Sequence, residues 1–225
     1  LLTLTKEIIT RYNVDGFQLD YIRYPASFPP DRFSYLKTTW GYSPLSRHVF
    51  KTQTGFDPDQ FTKKGIAEEQ ANLWQQWGEF KINQVNGFVQ KVHELIEHEA
   101  PTIELSAVVF AGAEESLVRK HQDWRTWALS SWVDALAPIT LTSAVKVVQE
   151  DTKRVEELTQ HKVPIISGVF GPFNNNTAEH MLDQVEAARV GGASGFAVFD
   201  SAHLTGRMAR ALNASQCGET KSKQF

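Results

Sequence analysis

The stretch NVDGFQLDYIRYP, Asn13 to Pro25, sets a carboxylate, an arginine and two tyrosines in the six residues that follow a short hydrophobic run. A strand needs only apolar residues on its buried face, so Asp20, Tyr21, Arg23 and Tyr24 invite a chemical reading. Gln18 and Asp20 are two apart and share one face of an extended chain. Pro25 cannot extend a sheet ladder and marks where the strand stops. Arg23, three residues from Asp20, favours the ionised carboxylate at neutral pH. An ionised, partly enclosed carboxylate is what a nucleophile or general base for glycosidic cleavage requires. Flanking tyrosines offer flat apolar faces with polar tips, which suit a sugar ring. The plainer alternative is an Asp20–Arg23 ion pair that pins a loop, and spacing alone leaves the two readings open.

Glycosidic cleavage by carboxylates uses two of them. Glu114 and Glu115 follow a predicted strand in a Gly-Ala-rich loop, and Asp200 ends the last predicted strand with His203 close behind. Each has a structural alternative: the glutamates suit the first turn of a helix, and the aspartate suits a cap. Trp40 and Tyr42, beside Gly41, are the aromatic pair placed to stack on a ring. His93 and His98 are five apart and diverge by about 140° around a helix, so no metal site is assigned. No G-x-S-x-G elbow and no glycine-rich phosphate turn follows a strand, and no cofactor is called for.

Positioning such residues requires a scaffold. Apolar or β-branched runs at Gly16–Ile22, Glu104–Phe110, Asp134–Thr140, Val163–Phe170 and Gly195–Phe199 read as strands. Helical patterns lie between them, at Asp123–Leu129, Ala144–Gln160 and Ala178–Val190, with Thr177 as a cap for the last. From the second strand onward the repeat is about 30 residues, the length of one βα unit. The pattern predicts a parallel sheet covered by helices, in an α/β class. Five units are visible where a (β/α)8 TIM barrel has eight, so the expectation is the last five units of a barrel, with the opening strands upstream of Leu1. A doubly wound open sheet is the competing architecture.

The stretch from Pro25 to about Glu68 reads as a long aromatic-rich loop carrying Phe28, Phe33, Tyr35, Trp40, Tyr42, Phe50, Phe56 and Phe61. A long helix from Glu68 to Glu99 follows, with Trp74, Trp77, Val85, Phe88, Val92, Leu95 and Ile96 as its apolar stripe. The barrel domain spans residues 1–212, and residues 213–225 read as a polar tail. Leu1–Tyr12 reads as part of an amphipathic helix, so any targeting segment would lie upstream.

Bulk properties narrow the class. Net charge is −3, from 23 basic and 26 acidic residues. That gives no electrostatic case for nucleic acid or an anionic membrane. No run is apolar for long enough to span a bilayer. The single cysteine, Cys217, cannot form an internal disulfide.

The motif NVDGFQLDYIRYP resembles the fourth-strand signature of the bacterial glycosyl hydrolase-like family ten, domain of unknown function 187. The helix WQQWGEFKINQVNGFVQKV resembles that family's tryptophan-then-asparagine helix, and ELSAVVF its fifth strand. DWRTWALSSWVDALAPIT resembles the next helix and strand, and GFAVFDSAHL the final strand. The likeness runs from Leu1 to about Leu212 and is nearest to cyanobacterial members. It implies a (β/α)8 barrel acting on a polysaccharide, the glycan of peptidoglycan among the candidates, in the periplasm or cell envelope. It matches Asp20 to the family's strand-end aspartate. Two positions depart: Leu141 follows Pro138-Ile139-Thr140 where a Pro-Met-Thr-Tyr-like end is usual, and Lys81 replaces a common arginine and cannot form its bidentate fork. The alternative to a hydrolase is a non-catalytic carbohydrate-binding barrel.

Overall fold

The computed structural model describes residues 1–26, 40–61, 68–140, 142–170 and 177–217. Five strands form one sheet: β1 (Gly16–Leu19), β2 (Glu104–Phe110), β3 (Ala135–Ile139), β4 (Ile166–Phe170) and β5 (Gly195–Phe199). All neighbours are parallel, and the order across the sheet is β1-β2-β3-β4-β5. Sheet order therefore equals chain order. A doubly wound sheet reverses direction at a switch point; this one does not, and its five strands are five successive strands of a (β/α)8 barrel.

The helices are α1 (Leu2–Arg11), α2 (Pro44–Thr54), α3 (Ala71–Glu99), α4 (Ala113–Lys120), α5 (Trp124–Leu129), α6 (Val145–Leu158), α7 (Ala178–Val190) and α8 (Gly206–Cys217). The main core lies between one sheet face and the helices. Leu19, Leu105, Ala107, Val109, Leu136 and Ile165 meet Val85, Val89, Val92 and Ile96 of α3 and Trp124 and Trp127 of α5. Alternation decides this, because every second strand residue faces the helix layer. Burying an aliphatic side chain of this size stabilises by roughly 1.5–3 kcal/mol. Asn86 of α3 ties the layer laterally: it accepts from the Trp127 indole at 2.6 Å and donates to Asp123, the N-cap of α5, at 3.3 Å.

The opposite sheet face is lined in register by Gln18, Ser106 and Ala135, then by Phe110, Ile139, Gly168 and Ala197. Small residues are required along part of it. A Cβ on Gly168 would sit 2.8 Å from the Pro138 carbonyl oxygen and from Ile139 Cγ2.

Four elements differ from the sequence-based expectation. β1 ends at Leu19 rather than Ile22, because Tyr21 adopts the left-handed region (φ +52°) and breaks the extended run. The supposed loop from Pro25 to Glu68 contains α2: Ser43 Oγ accepts from the Ser46 amide at 3.1 Å, Pro44 opens the first turn, and Gly55 at φ +76° closes it. Arg47 then donates two 2.9 Å hydrogen bonds to Asp57 and clasps α2 to the turn beyond it. Phe50, Phe61, Trp77 and Phe80, flanked by Tyr42, Phe56 and Trp74, make a second core there. α4 was foreseen only as an alternative for Glu114 and Glu115, and α8 continues to Cys217, past Asn213. Phe28, Phe33, Tyr35, Leu141 and residues 218–225 lie outside the described residues.

Candidate functional site

Asp20 follows the last residue of β1, at the carboxyl end of the strand, the end where barrel enzymes assemble their sites. Leu19 turns into the core, and Gln18 and Asp20 are both exposed. The left-handed turn at Tyr21 aims that residue's amide back at the carboxylate: it donates to Asp20 Oδ1 at 2.7 Å. One oxygen is thus held by backbone, which orients the group.

No ion pair joins Asp20 and Arg23 among the described residues. Arg23 lies instead over two rings, its guanidinium carbon 4.8 Å from the Tyr21 centroid and 5.0 Å from that of Phe110. It donates to the Tyr24 carbonyl at 3.2 Å. Tyr21 is 76% exposed and forms an outer wall. Tyr24 turns inward: its amide donates to the Lys120 carbonyl at 3.0 Å and its ring meets His121 edge-on at 5.3 Å. Burial raises its phenol pKa.

Phe110, the last residue of β2, carries a second cation. Lys120 Nζ lies 3.8 Å from its centroid and donates to Glu115 Oε1 at 2.7 Å. That hydrogen bond, ahead of the opposing effect of burial, holds the Glu115 carboxyl below its usual range. Glu115 is therefore a standing carboxylate and a poor proton donor. Glu114, beside it in the first turn of α4, is exposed. Because β1 and β2 are adjacent, Glu114 follows the strand next to the one that ends at Asp20. Asp200 follows β5, at the other end of the sheet, where it is exposed and occupies the N-cap position of a short 3₁₀ turn, Ser201–His203, without a side-chain capping bond. The side chain of His203 lies outside the described residues. Trp40 is half exposed, whereas Tyr42 packs 5.4 Å from Trp77 in the second core.

Sequence reasoning passed over Gln122. It is 1% exposed and joins three elements. Its Oε1 accepts from the Phe110 amide at 3.0 Å and the Ser116 hydroxyl at 2.9 Å; its Nε2 donates to the carbonyls of Val108 at 3.2 Å and Ile22 at 3.4 Å. One side chain thereby fixes the end of β2, the start of α4 and the turn carrying Asp20. A lone glutamine between two helices gives no sequence signal for this. Lys81, the departure from arginine, is buried on α3 with its ammonium 5.9 Å from the Trp74 centroid and 5.6 Å from that of Trp77. Among the described residues no group of three or more His, Cys, Asp or Glu is placed to hold a metal, and no helix is long and apolar enough to cross a membrane.

Bee venom hyaluronidase, solved in complex with a hyaluronic acid tetramer, is 14% identical with a TM-score of 0.49, over 89% of this chain and 65% of that one. The chain thus spans just under two thirds of the hyaluronidase. A Schiff-base-forming fructose-1,6-bisphosphate aldolase is 15% identical with a TM-score of 0.36, over 96% of this chain and 99% of that one. No curated protein sequence matches. The Glycosyl hydrolase-like 10 profile matches residues 1–177, a span that holds Asp20, Lys81, Glu114 and Gln122 and leaves out Asp200 and His203. Nearly four fifths of the sequence is covered, the β1 turn included, and the chain belongs to the Glycosyl hydrolase-like 10 family.

Proposed function

We propose that the protein is a glycoside hydrolase that cleaves a polysaccharide, the glycan strand of peptidoglycan being the first substrate to test, outside the cytoplasm. Asp20 is the nucleophile or general base. The observation that carries the reading is its placement: an exposed carboxylate at the carboxyl end of a barrel strand, one oxygen held by the Tyr21 amide and no salt bridge consuming it among the described residues. Nucleophiles and bases in glycosidic cleavage need that combination of fixed direction and available charge.

Glu114 is the favoured proton donor, in the first turn of α4 after the strand beside β1 and next to a Glu115 already committed to Lys120. Asp200, with His203 behind it, is the alternative across the sheet. Gln18, Tyr21, Arg23 and Tyr24 supply the nearest polar and aromatic contacts for a sugar, with Trp40 and Tyr42 further out.

The test is release of reducing ends from peptidoglycan and from neutral polysaccharides by wild type and by Asp20→Asn. The expected result is a fall of about 10²–10⁴-fold with an unchanged melting curve. Equal turnover in the variant removes Asp20 from the chemistry. Glycan binding without turnover in the wild type would instead establish a carbohydrate-binding barrel.

A further inference from the structure

Beyond Tyr24 of the β1 turn, which packs on His121, the first half of α3 and the second half of α4 flank a cleft of about 370 Å³. Trp74, Ile82, Leu117 and Val118 supply apolar walls, and Lys81 and His121 supply nitrogen. Lys81 is 2% exposed and His121 4%. Among the described residues the Lys81 ammonium has no hydrogen bond and no carboxylate partner, and the buried His121 Nδ1 has no hydrogen-bond partner. Gly41 pins the lysine stem: at φ +104° it lies so close that a Cβ would be 3.0 Å from Lys81 Cδ. Among the described residues the one carboxylate lining the cleft, Glu79, is exposed and accepts a 2.8 Å hydrogen bond from Gln75.

We propose that this cleft binds a monocarboxylate, with Lys81 as its counter-cation, His121 as its second hydrogen-bonding partner and Trp74 as the wall for its apolar body. A buried ammonium without a counter-ion is unfavourable, and an entering anion removes the penalty. The donor set fixes the class. One cation and one imidazole balance a single negative charge, and among the described residues no guanidinium lines the cleft to hold a phosphate dianion. The apolar walls call for an organic acid rather than an inorganic ion.

The electrostatics agree. Burial pushes the Lys81 amine down to about 7. Burial, with the nearby Lys81 charge, pushes His121 down to about 3, so its imidazole is neutral at neutral pH and can donate from Nδ1. Among the described residues, His121 shares the cleft with Lys81 and feels its charge, Glu79 lines the same cleft, and Tyr24 packs on His121. Exposed carboxylates do not change charge between pH 6 and 9, His121 is already neutral there, and burial moves Tyr24 further above that range. Lys81 is the group whose charge changes.

The carboxylate can arrive on a free small acid or on an acidic sugar of a glycan. The proposal stands whether or not Asp20 cleaves a glycosidic bond. Titration calorimetry with propionate, its neutral isostere propionamide, and a glucuronate-containing tetrasaccharide tests it at pH 6 and pH 9. The expected result is that propionate binds at pH 6, weakens by about tenfold or more at pH 9, and is not matched by propionamide. Lys81→Met should abolish binding, and Lys81→Arg should bind alike at both pH values. A tetrasaccharide that binds more tightly than propionate, with the same Lys81 dependence, identifies a glycan-borne acid; propionate binding alone identifies a free one. Binding of propionamide equal to that of propionate, silence from both acids, or undiminished binding in Lys81→Met overturns the proposal. Should the variants fail to fold, the pH dependence and the amide comparison on wild type still decide.

Discussion

Lys120 and Lys81 are buried to almost the same degree, yet the rim around the first and the cleft around the second solve the problem of a buried ammonium in opposite ways. Lys120 lies on Phe110 and donates to Glu115 at 2.7 Å. Lys81 lies between two tryptophans and meets no carboxylate among the described residues. Burial by itself therefore does not set the character of a lysine here; the partner does. Where the partner is built in, the charge becomes part of the scaffold that holds the β1 turn. Where it is absent, the amine falls to about 7 and the site stands ready for a partner from solution.

Substitutions can break or sharpen that contrast. The largest effect is expected from Asp20→Asn, which should remove glycan turnover by about 10²–10⁴-fold and leave propionate binding at the cleft unchanged. Loss of both would mean that rim and cleft are one site. Next is Gln122→Leu. It strands the Phe110 amide and the Val108 carbonyl, and should cost about 2–4 kcal/mol of stability by urea unfolding. Turnover should fall more than the fraction unfolded accounts for, because the turn bearing Asp20 loses its anchor. A variant as stable as wild type would refute the anchoring role.

Lys81→Met comes third. At pH 6 it should stabilise the protein by about 1–3 kcal/mol, since it replaces an unpaired buried charge with an apolar chain. The sign of the pH dependence follows from the depressed amine. Between about 7 and about 10.4 the unfolded chain holds a proton that the native protein lacks, so wild-type stability rises with pH across that window. Thermal melts should show the advantage of Lys81→Met shrinking over the same range; a constant gap would mean that the amine is not depressed. The smallest effect, about 1 kcal/mol or less, is expected from Glu115→Gln, because that carboxylate is half exposed. It should drive Lys120 toward the condition of Lys81, and a change in melting temperature that disappears at high pH would show it.

Much of the architecture was legible in the sequence because local signals carry it. The runs ELSAVVF and GFAVF are strands at the expected limits, and α7 starts at its threonine cap. α2 announced itself in Ser43-Pro44 and Gly55, but an excess of aromatics made that stretch look like loop. Those aromatics pack on one another and on α3. β1 is shorter than its hydrophobic pattern because its end is set by a backbone conformation at Tyr21, which composition does not encode. The position of Asp20 at the carboxyl end of β1 was readable from its place at the end of a run. Gln122, Lys120 and the Lys81–His121 cleft were not, since each depends on elements far apart in the chain meeting in space.

The hydrogen bond from Gln122 to the Ile22 carbonyl closes a gap of 100 residues. During translation the turn at Asp20 leaves the ribosome long before the amide that anchors it. At ordinary synthesis rates the delay is about 5–20 s. For that interval the emerging polypeptide carries the aspartate without the anchor that fixes its turn, so the carboxyl end of β1 is among the last parts of this region to mature.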